Sequence, residues 1–221
     1  PEGAVIREAV LGQVDFAAMR AAMVASQLRT SDVNDGGVIA AMASVPREDF
    51  VPAARRETAY VDRPIPLGNG RALNPPLAIG RLLTIAEISA GDKVLLLGDA
   101  TGYSAALLAH MGAAVTVVAE GDRPASLPAS VTWVKGKAGE GHAAGAPYDA
   151  IVIDGAAPEF PAALADQLAE GGRVAMGLVE RGVVRLVSGR KGGGVVGFVS
   201  LADMEMTAVP GFDVKRPDFV F

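Results

Sequence analysis

Residues 94–103 read Val-Leu-Leu-Leu-Gly-Asp-Ala-Thr-Gly-Tyr, an apolar run that leads into a turn with two glycines. Four consecutive apolar residues are typical of a parallel strand that is buried on both faces. Gly98 and Gly102 allow a tight turn, which brings backbone N–H groups at a helix N-terminus close to a ligand. The stretch predicts a strand, a ligand-binding turn and a helix. In a less specific interpretation, it is an ordinary strand-to-helix turn.

Similar apolar runs recur along the chain, and helix-compatible segments lie between several of them. The predicted strands are residues 94–97, 115–118, 131–134, 150–153 and 173–176, and the intervening helices are residues 103–111 and 161–170. This alternation indicates right-handed crossovers and a doubly wound parallel sheet, which binds ligands beyond the carboxyl ends of its strands. An antiparallel hairpin that joins the sheet is predicted for residues 183–188 and 195–201, which flank a glycine-rich turn.

Amphipathic helices are predicted in the N-terminal third of the chain. Apolar residues at near-helical spacing follow Asp15, Asp35 and Pro76. We expect residues 1–87 to form a helical cap and the loop region that leads into the sheet. Residues 88–221 are expected to form a Rossmann-like α/β core with a C-terminal hairpin, and the two parts are expected to make one compact unit.

Composition limits the classes of function. The 221 residues, half of them hydrophobic, can bury one substantial core, and their net charge of −5 gives no general attraction for nucleic acid. The sequence shows neither an apolar run of about 18 residues nor a signal peptide, so we expect a cytoplasmic protein without a membrane span. Cysteine is absent, which excludes disulfides, thiolate metal ligands and a cysteine nucleophile. No metal site is expected.

Glu120 follows the second predicted strand of the sheet. An acidic side chain at that position can accept hydrogen bonds from both ribose hydroxyls of a bound nucleoside. The spacing alone does not distinguish adenosylmethionine from NAD, because both place a ribose there. The register is also open, since Ala119 could occupy the acidic position and leave Glu120 on the surface.

Four further segments follow one another along the chain. They read Met-Val-Ala-Ser-Gln-Leu-Arg at 23–29, Val-Pro-Arg-Glu-Asp-Phe-Val-Pro at 45–52, Ala-Tyr-Val-Asp-Arg-Pro-Ile-Pro-Leu-Gly at 59–68, and Tyr-Asp-Ala-Ile-Val-Ile at 148–153 with Ala-Ala-Pro-Glu-Phe-Pro at 156–161. Together they resemble the protein-L-isoaspartate O-methyltransferase family. An NAD-dependent dehydrogenase would explain the glycine turn and Glu120, but it would explain none of these segments.

The resemblance implies a class I methyltransferase fold with S-adenosyl-L-methionine as cofactor. It implies methyl transfer to the free carboxylate of isoaspartyl residues in damaged proteins or peptides, which is a repair activity. A carboxylate is already a nucleophile and a sulfonium is a good leaving group, so alignment and desolvation suffice. We therefore assign no acid–base role to His110 or His142.

The resemblance also implies a set of site residues. The candidate cofactor-binding residues are Gly98, Asp99, Thr101, Gly102, Tyr103, Glu120, Lys137 and Asp154. The candidate substrate-binding residues are Leu73, Asn74, Pro75 and Ala157, with Asn74 also the candidate catalytic residue.

The substrate loop departs from the family pattern. Where the family typically has Thr-Ile-Ser-Gln-Pro, residues 72–76 read Ala-Leu-Asn-Pro-Pro. Asn74 replaces the serine, and its amide can donate hydrogen bonds to a carboxylate. An equally plausible interpretation is a turn residue ahead of proline.

The cofactor loops depart as well. Leu96 stands where the family usually has an acidic residue, and Ala100 where it has the central glycine. Gly-Asp-Gly after the third strand is replaced by residues 136–138, whose Lys137 cannot accept a hydrogen bond from an adenine amine. Asp99 and Glu140 are candidate replacements for the lost acids. These changes support a second hypothesis, a catalytically degenerate methyltransferase-fold protein with a binding or regulatory role.

Overall fold

A mixed seven-stranded sheet organises residues 13–212, which are the residues that the computed structural model describes. The helices are α1 (Phe16–Met23), α2 (Gly36–Ser44), α3 (Pro76–Ile85), α4 (Tyr103–His110) and α5 (Ala162–Gln167). The strands are β1 (Ile65–Gly68), β2 (Arg71–Leu73), β3 (Lys93–Leu97), β4 (Ala114–Ala119), β5 (Thr132–Lys135), β6 (Tyr148–Ala157), β7 (Leu168–Glu180), β8 (Val183–Gly192) and β9 (Val195–Asp203). A π-helical turn at Val24–Leu28 extends α1, and short 3₁₀ turns lie at Arg29–Ser31, Arg47–Phe50, Ala53–Thr58, Ala138–Glu140 and Ala143–Gly145.

The strand order in the large sheet is β5-β4-β3-β6-β7-β8-β9. The first five strands are parallel, and β8 and β9 pair antiparallel with their neighbours. This arrangement confirms the predicted Rossmann-like sheet with a C-terminal antiparallel hairpin. The connections reverse direction between β3 and β6, so a ligand crevice is expected at the carboxyl ends of these two strands.

A small hairpin of β1 and β2 carries the substrate loop. Ile65 pairs with Leu73, and the turn between the strands contains Asn69 and Gly70, both with positive φ. The chain leaves β2 at Leu73 and enters α3 at Pro76, whose fixed φ suits the first turn of a helix. The hairpin thus delivers Asn74 to the large sheet.

Strand β3 buries side chains on both faces of the sheet. Val94 and Leu96 belong to the apolar cluster that includes α1 to α4, whereas Leu95 and Leu97 belong to the cluster beneath α5. All four side chains are fully buried, as the continuous apolar run predicts. Leu96, at the position where the family usually has an acid, is therefore part of the hydrophobic core.

Several element boundaries differ from the sequence expectation. Strands β6 and β7 extend well beyond the predicted residues 150–153 and 173–176. The pairing of these strands shifts register between Val152 and Ala156, where Gly155 has φ +146°, so the strand continues through a bulge without an apolar signature. Helix α5 ends at Gln167 instead of residue 170, because Leu168 is already extended.

None of the helices within residues 13–212 has the length and apolar character that crossing a membrane requires.

A buried arginine connects the helical cap to the core. Arg47 is fully buried, its Nε donates to the carbonyl of Ala59 at 2.6 Å, and its Nη2 donates to the carbonyl of Asn74 at 2.8 Å. The guanidinium carbon lies 5.0 Å from the centre of the Tyr103 ring. One cation thus ties the segment after α2 to the substrate loop and to the start of α4.

We predict that Arg47→Ala lowers the free energy of unfolding by about 2–5 kcal/mol, because two buried carbonyls lose their charged donor. Urea denaturation followed by circular dichroism measures the change. Arg55→Ala, at an exposed position, is the matched control and should change the stability by less than about 0.5 kcal/mol. Equal stability of the two variants would contradict this account of Arg47.

Candidate functional site

The glycine turn after β3 starts helix α4. Gly98 and Gly102 have φ of +82° and +88°, which only glycine adopts without cost. Asp99 is buried between them and accepts from the backbone N–H groups of Gly102 and Ala105, both at 2.8 Å, and of Thr101 at 3.2 Å. Asp99 therefore caps α4 with both carboxylate oxygens.

Burial changes the ionisation of the acids at this turn. It raises the pKa of Asp99 to about 6, and the negative charge of Asp154 adds to the increase, while the three N–H donors oppose it. Burial also raises the pKa of Asp154, against the hydrogen bonds from Ser104 and Asn74 and the nearby charge of Arg47. Two carboxyl groups thus share one desolvated crevice.

Asn74 connects the substrate loop to two other parts of the chain. Its Nδ2 donates to Asp154 Oδ1 at 2.9 Å and to the Asp154 carbonyl at 3.2 Å. Its Oδ1 accepts from the Thr207 N–H at 2.8 Å and from the Thr207 hydroxyl at 3.1 Å. The amide that the sequence assigns to a substrate carboxylate is thus bonded to a carboxylate of the chain itself. Asn74 is buried, with 2% of its surface exposed.

Residues 207–211, which we call the tail segment, lie across the carboxyl ends of the central strands. The Ala156 N–H donates to the Thr207 carbonyl at 2.8 Å, and the Val209 N–H donates to the Ala156 carbonyl at 2.9 Å. At the far end, the Gly139 N–H donates to the Gly211 carbonyl at 3.1 Å. The tail segment thus spans from β6 to the turn that follows β5.

The nucleoside side of the crevice is nearly closed. A cavity of about 20 Å³ remains there, lined by Arg71, Gly98, Val118, Ala119, Glu120, Gly136, Ala138, Val209 and Pro210. Strand β4 ends at Ala119, and Glu120 is the first residue beyond it, with an exposed side chain. Both candidates for the acidic position therefore line the cavity, and Glu120 is the one that brings a carboxylate.

Residues 13–212 bring together no cluster of three or more histidine or acidic side chains arranged to hold a metal ion.

Comparison with known proteins identifies the family of this chain. The family model of protein-L-isoaspartate(D-aspartate) O-methyltransferase matches residues 19–203. The chain is 40% identical over 171 residues to the protein-L-isoaspartate O-methyltransferase of Koribacter versatilis, which covers 72% of this chain and 76% of that one. The chain belongs to this family.

Solved structures show the same fold as this protein-L-isoaspartate O-methyltransferase family member. One protein-L-isoaspartate O-methyltransferase has a TM-score of 0.74 at 20% identity, covering 87% of this chain and 66% of that chain. A second, from Plasmodium falciparum and in complex with S-adenosyl-L-homocysteine, has a TM-score of 0.71 at 17% identity, covering 90% of this chain and all of that one. At these identities the structures support the fold alone.

The structure brings some of the sequence-predicted site residues of this family member together. Asn74 donates to Asp154, and the charge of Asp154 acts on the nearby Asp99. Gly98 and Glu120 line the same small cavity. The Thr101 hydroxyl accepts from the Tyr103 N–H at 3.3 Å, within the turn.

Other predicted residues lie apart from any open space. Tyr103 is fully buried against Arg47, Leu73 is 1% exposed, and Pro75 is buried ahead of α3. Ala157 is buried in the apolar cluster beneath α5. Lys137 has an exposed side chain, while its backbone lies next to Gly211. Their proposed roles toward a ligand stay predictions.

Sequence reasoning missed three residues of the crevice. Ser104 donates its hydroxyl to Asp154 Oδ2 at 2.6 Å, Thr207 bonds Asn74, and Val209 covers the glycine turn. Ser104 follows the glycine motif directly, so its position at the first turn of α4 was a usable signal. Thr207 and Val209 lie in an irregular stretch that carries no periodic pattern.

The raised pKa of Asp99 predicts a pH dependence of stability. Between about pH 4 and pH 6 the folded state holds a proton that the unfolded state releases, so this group lowers the free energy of unfolding as the pH rises. Through this group the free energy of unfolding falls by at most about 1.4 kcal/mol per pH unit. The side chain of Asp99→Asn cannot titrate. The free energy of unfolding of the natural chain minus that of the variant should therefore decrease as the pH rises through this window. Urea denaturation at several pH values tests it.

The control for this experiment is Asp166→Asn, an exposed acid on α5, whose stability curve should run parallel to that of the natural chain. A parallel curve for Asp99→Asn as well would show that Asp99 titrates normally in the folded state.

Proposed function

We propose that the chain is an S-adenosyl-L-methionine-dependent carboxyl O-methyltransferase that acts on L-isoaspartyl residues of damaged proteins. The observation that carries this proposal is the family match over residues 19–203, together with relatives of about 40% identity that bear this activity in their names. Isoaspartyl-containing proteins or peptides are the substrates. A cytoplasmic location is part of the proposal and is tested by cell fractionation.

The chemistry of the crevice walls suits the cofactor. Glu120 is an exposed carboxylate directly after β4, in position to accept hydrogen bonds from ribose hydroxyls. Gly98 and Gly102 have positive φ and give the turn before α4 its tight backbone path. When bound, S-adenosyl-L-methionine supplies the electrophilic methyl group. The family match supports this cofactor class. The structural neighbour from Plasmodium falciparum was itself solved with the demethylated product, S-adenosyl-L-homocysteine.

The volume of the crevice does not suit the cofactor in the conformation described. Only about 20 Å³ remains while the tail segment is in place. Small-molecule sites usually measure about 300–1,000 Å³. The walls thus fit the cofactor in kind but not in space.

The filled crevice also supports a second candidate function. A methyltransferase-fold protein that has lost catalysis would tolerate a filled crevice, a core leucine at position 96 and an exposed lysine at position 137. Such a protein would act by binding or regulation. The two candidates differ in turnover, which can be measured directly.

We predict that the purified full chain converts S-adenosyl-L-methionine to S-adenosyl-L-homocysteine in the presence of an isoaspartyl peptide. The peptide with a normal aspartyl residue at the same position is the control and should give no turnover above background. Product formation is followed by chromatography. Absence of turnover at saturating cofactor, with the protein folded, would favour the degenerate candidate.

We predict that Glu120→Ala weakens binding of S-adenosyl-L-homocysteine about 10- to 100-fold, because a carboxylate that accepts from hydroxyl groups contributes about 1.5–3 kcal/mol. Calorimetric titration measures the affinity. Glu120 is exposed, so the variant should unfold like the natural chain. Asp166→Ala removes another exposed carboxylate and is the matched control for charge. Equal affinity of both variants would exclude Glu120 from the cofactor site.

A further inference from the structure

The tail segment occupies the space in which the family's cofactor would lie. The cavity left between Gly98, Glu120 and Gly136 is about 20 Å³, which is room for about one water molecule. Val209 and Pro210 form one wall of this cavity. The crevice is therefore filled from within the chain, and a nucleoside can enter only if residues 207–211 move.

The side chain of Val209 packs directly onto the glycines of the crevice. A Cβ added to Gly98 would lie 2.7 Å from a Val209 methyl carbon, and one added to Gly155 would lie 2.6 Å from a Val209 methyl. Val209 itself is 8% exposed. The bare backbone that lets a ligand approach the turn is thus covered by one apolar side chain.

The backbone of the tail segment satisfies polar groups on both sides of the crevice. Ala156 pairs with Ala208 in a parallel β-bridge at the end of β6, and Gly139 donates to Gly211 after β5. These N–H and C=O groups lie at the carboxyl ends of strands, where ligands of such sheets bind. The tail segment therefore takes both the space and part of the hydrogen-bonding capacity of the crevice.

Asn74 fixes the start of the tail segment. Its Oδ1 accepts two hydrogen bonds from Thr207, while its Nδ2 is held by Asp154. Beyond Thr207 the side chains of Ala208 and Pro210 are exposed to solvent, and Val209 is the buried one. A short segment with one buried apolar side chain opens locally at a lower free energy than the sheet beneath it.

We propose that residues 207–211 are an intramolecular competitor for the cofactor crevice, with Asn74 as the residue that fastens them. Binding of the cofactor is then coupled to withdrawal of the tail segment. This inference rests on the proposed function, since it takes the crevice to be the cofactor site. The observed association constant is the intrinsic association constant multiplied by the fraction of molecules whose crevice is open.

The first test loosens the tail segment. Val209→Ala removes the methyl groups that cover Gly98, so we predict that S-adenosyl-L-homocysteine binds at least about tenfold more tightly than to the natural chain. Calorimetric titration measures both affinities. The matched control is Val199→Ala, because Val199 lies on β9 with 62% of its surface exposed. Unchanged affinity of Val209→Ala, equal to that of the control, would overturn the proposal.

Hydrogen exchange gives a measurement that does not depend on catalysis. In the free protein the Val209 amide is bonded to Ala156 and should exchange slowly, as should the reference amide of Val45, which is bonded to Ala41 in α2. Saturation with S-adenosyl-L-homocysteine should accelerate exchange at Val209 and leave Val45 unchanged. Tight binding with Val209 still protected would overturn the proposal while the proposed function stands.

The second test locks the tail segment in place. The chain has no cysteine, so Ala156→Cys with Ala208→Cys offers one disulfide, between residues that pair across the β-bridge. The oxidised protein should bind S-adenosyl-L-homocysteine at least about 100-fold more weakly than the reduced protein, which is its own control. Equal binding of the oxidised and reduced proteins would overturn the proposal.

The failure of the proposed function has a different signature. In that case neither the natural chain, nor Val209→Ala, nor the reduced double variant binds S-adenosyl-L-homocysteine at millimolar concentration, although exchange at residue 209 is faster in the Val209→Ala variant. The crevice would then be open and yet have no affinity for the cofactor, which would refute both the proposed function and the competition.

Discussion

The buried side-chain amide of Asn74 holds the three parts of the crevice together. A buried amide must find partners for both its oxygen and its nitrogen, because an unsatisfied polar group costs about 1–3 kcal/mol. Here Asp154 in β6 accepts from the nitrogen, and Thr207 at the start of the tail segment donates to the oxygen. Arg47 binds the Asn74 carbonyl from the cap. Substrate loop, sheet, tail and cap are thus fixed relative to one another through one residue.

The same crevice keeps carboxyl groups although Leu96 is apolar. In the register of β3 and β6, Leu97 lies beside Ile153, so Asp154 follows directly beyond the pair and next to the glycine turn. Asp99 and Asp154 are both buried, and burial raises the pKa of each. An apolar side chain on β3 thus extends the core, while the carboxyl groups lie on the neighbouring strand and in the turn.

Family membership and a closed crevice are compatible once the tail is treated as part of the site. The family match ends at residue 203, and the tail segment begins four residues later. Gly98 and Glu120 line the crevice together with Val209 and Pro210 of the tail segment. The family match supports methyl transfer, and on the proposal above the tail segment determines how readily a cofactor gains access.

The sequence by itself determined the architecture of this protein and its family. Continuous apolar runs predict strands such as β3 because a two-faced sheet must exclude water from both sides, and that constraint is local in the chain. The glycine turn and the position of Glu120 were readable for the same reason. The contacts of Asn74 with Thr207 join residues 133 positions apart, and the packing of Val209 on Gly98 is equally remote in sequence. Only the tertiary structure decided that these groups meet, because hydrogen bonds and packing between distant segments depend on how the whole sheet brings them together, which no local pattern records.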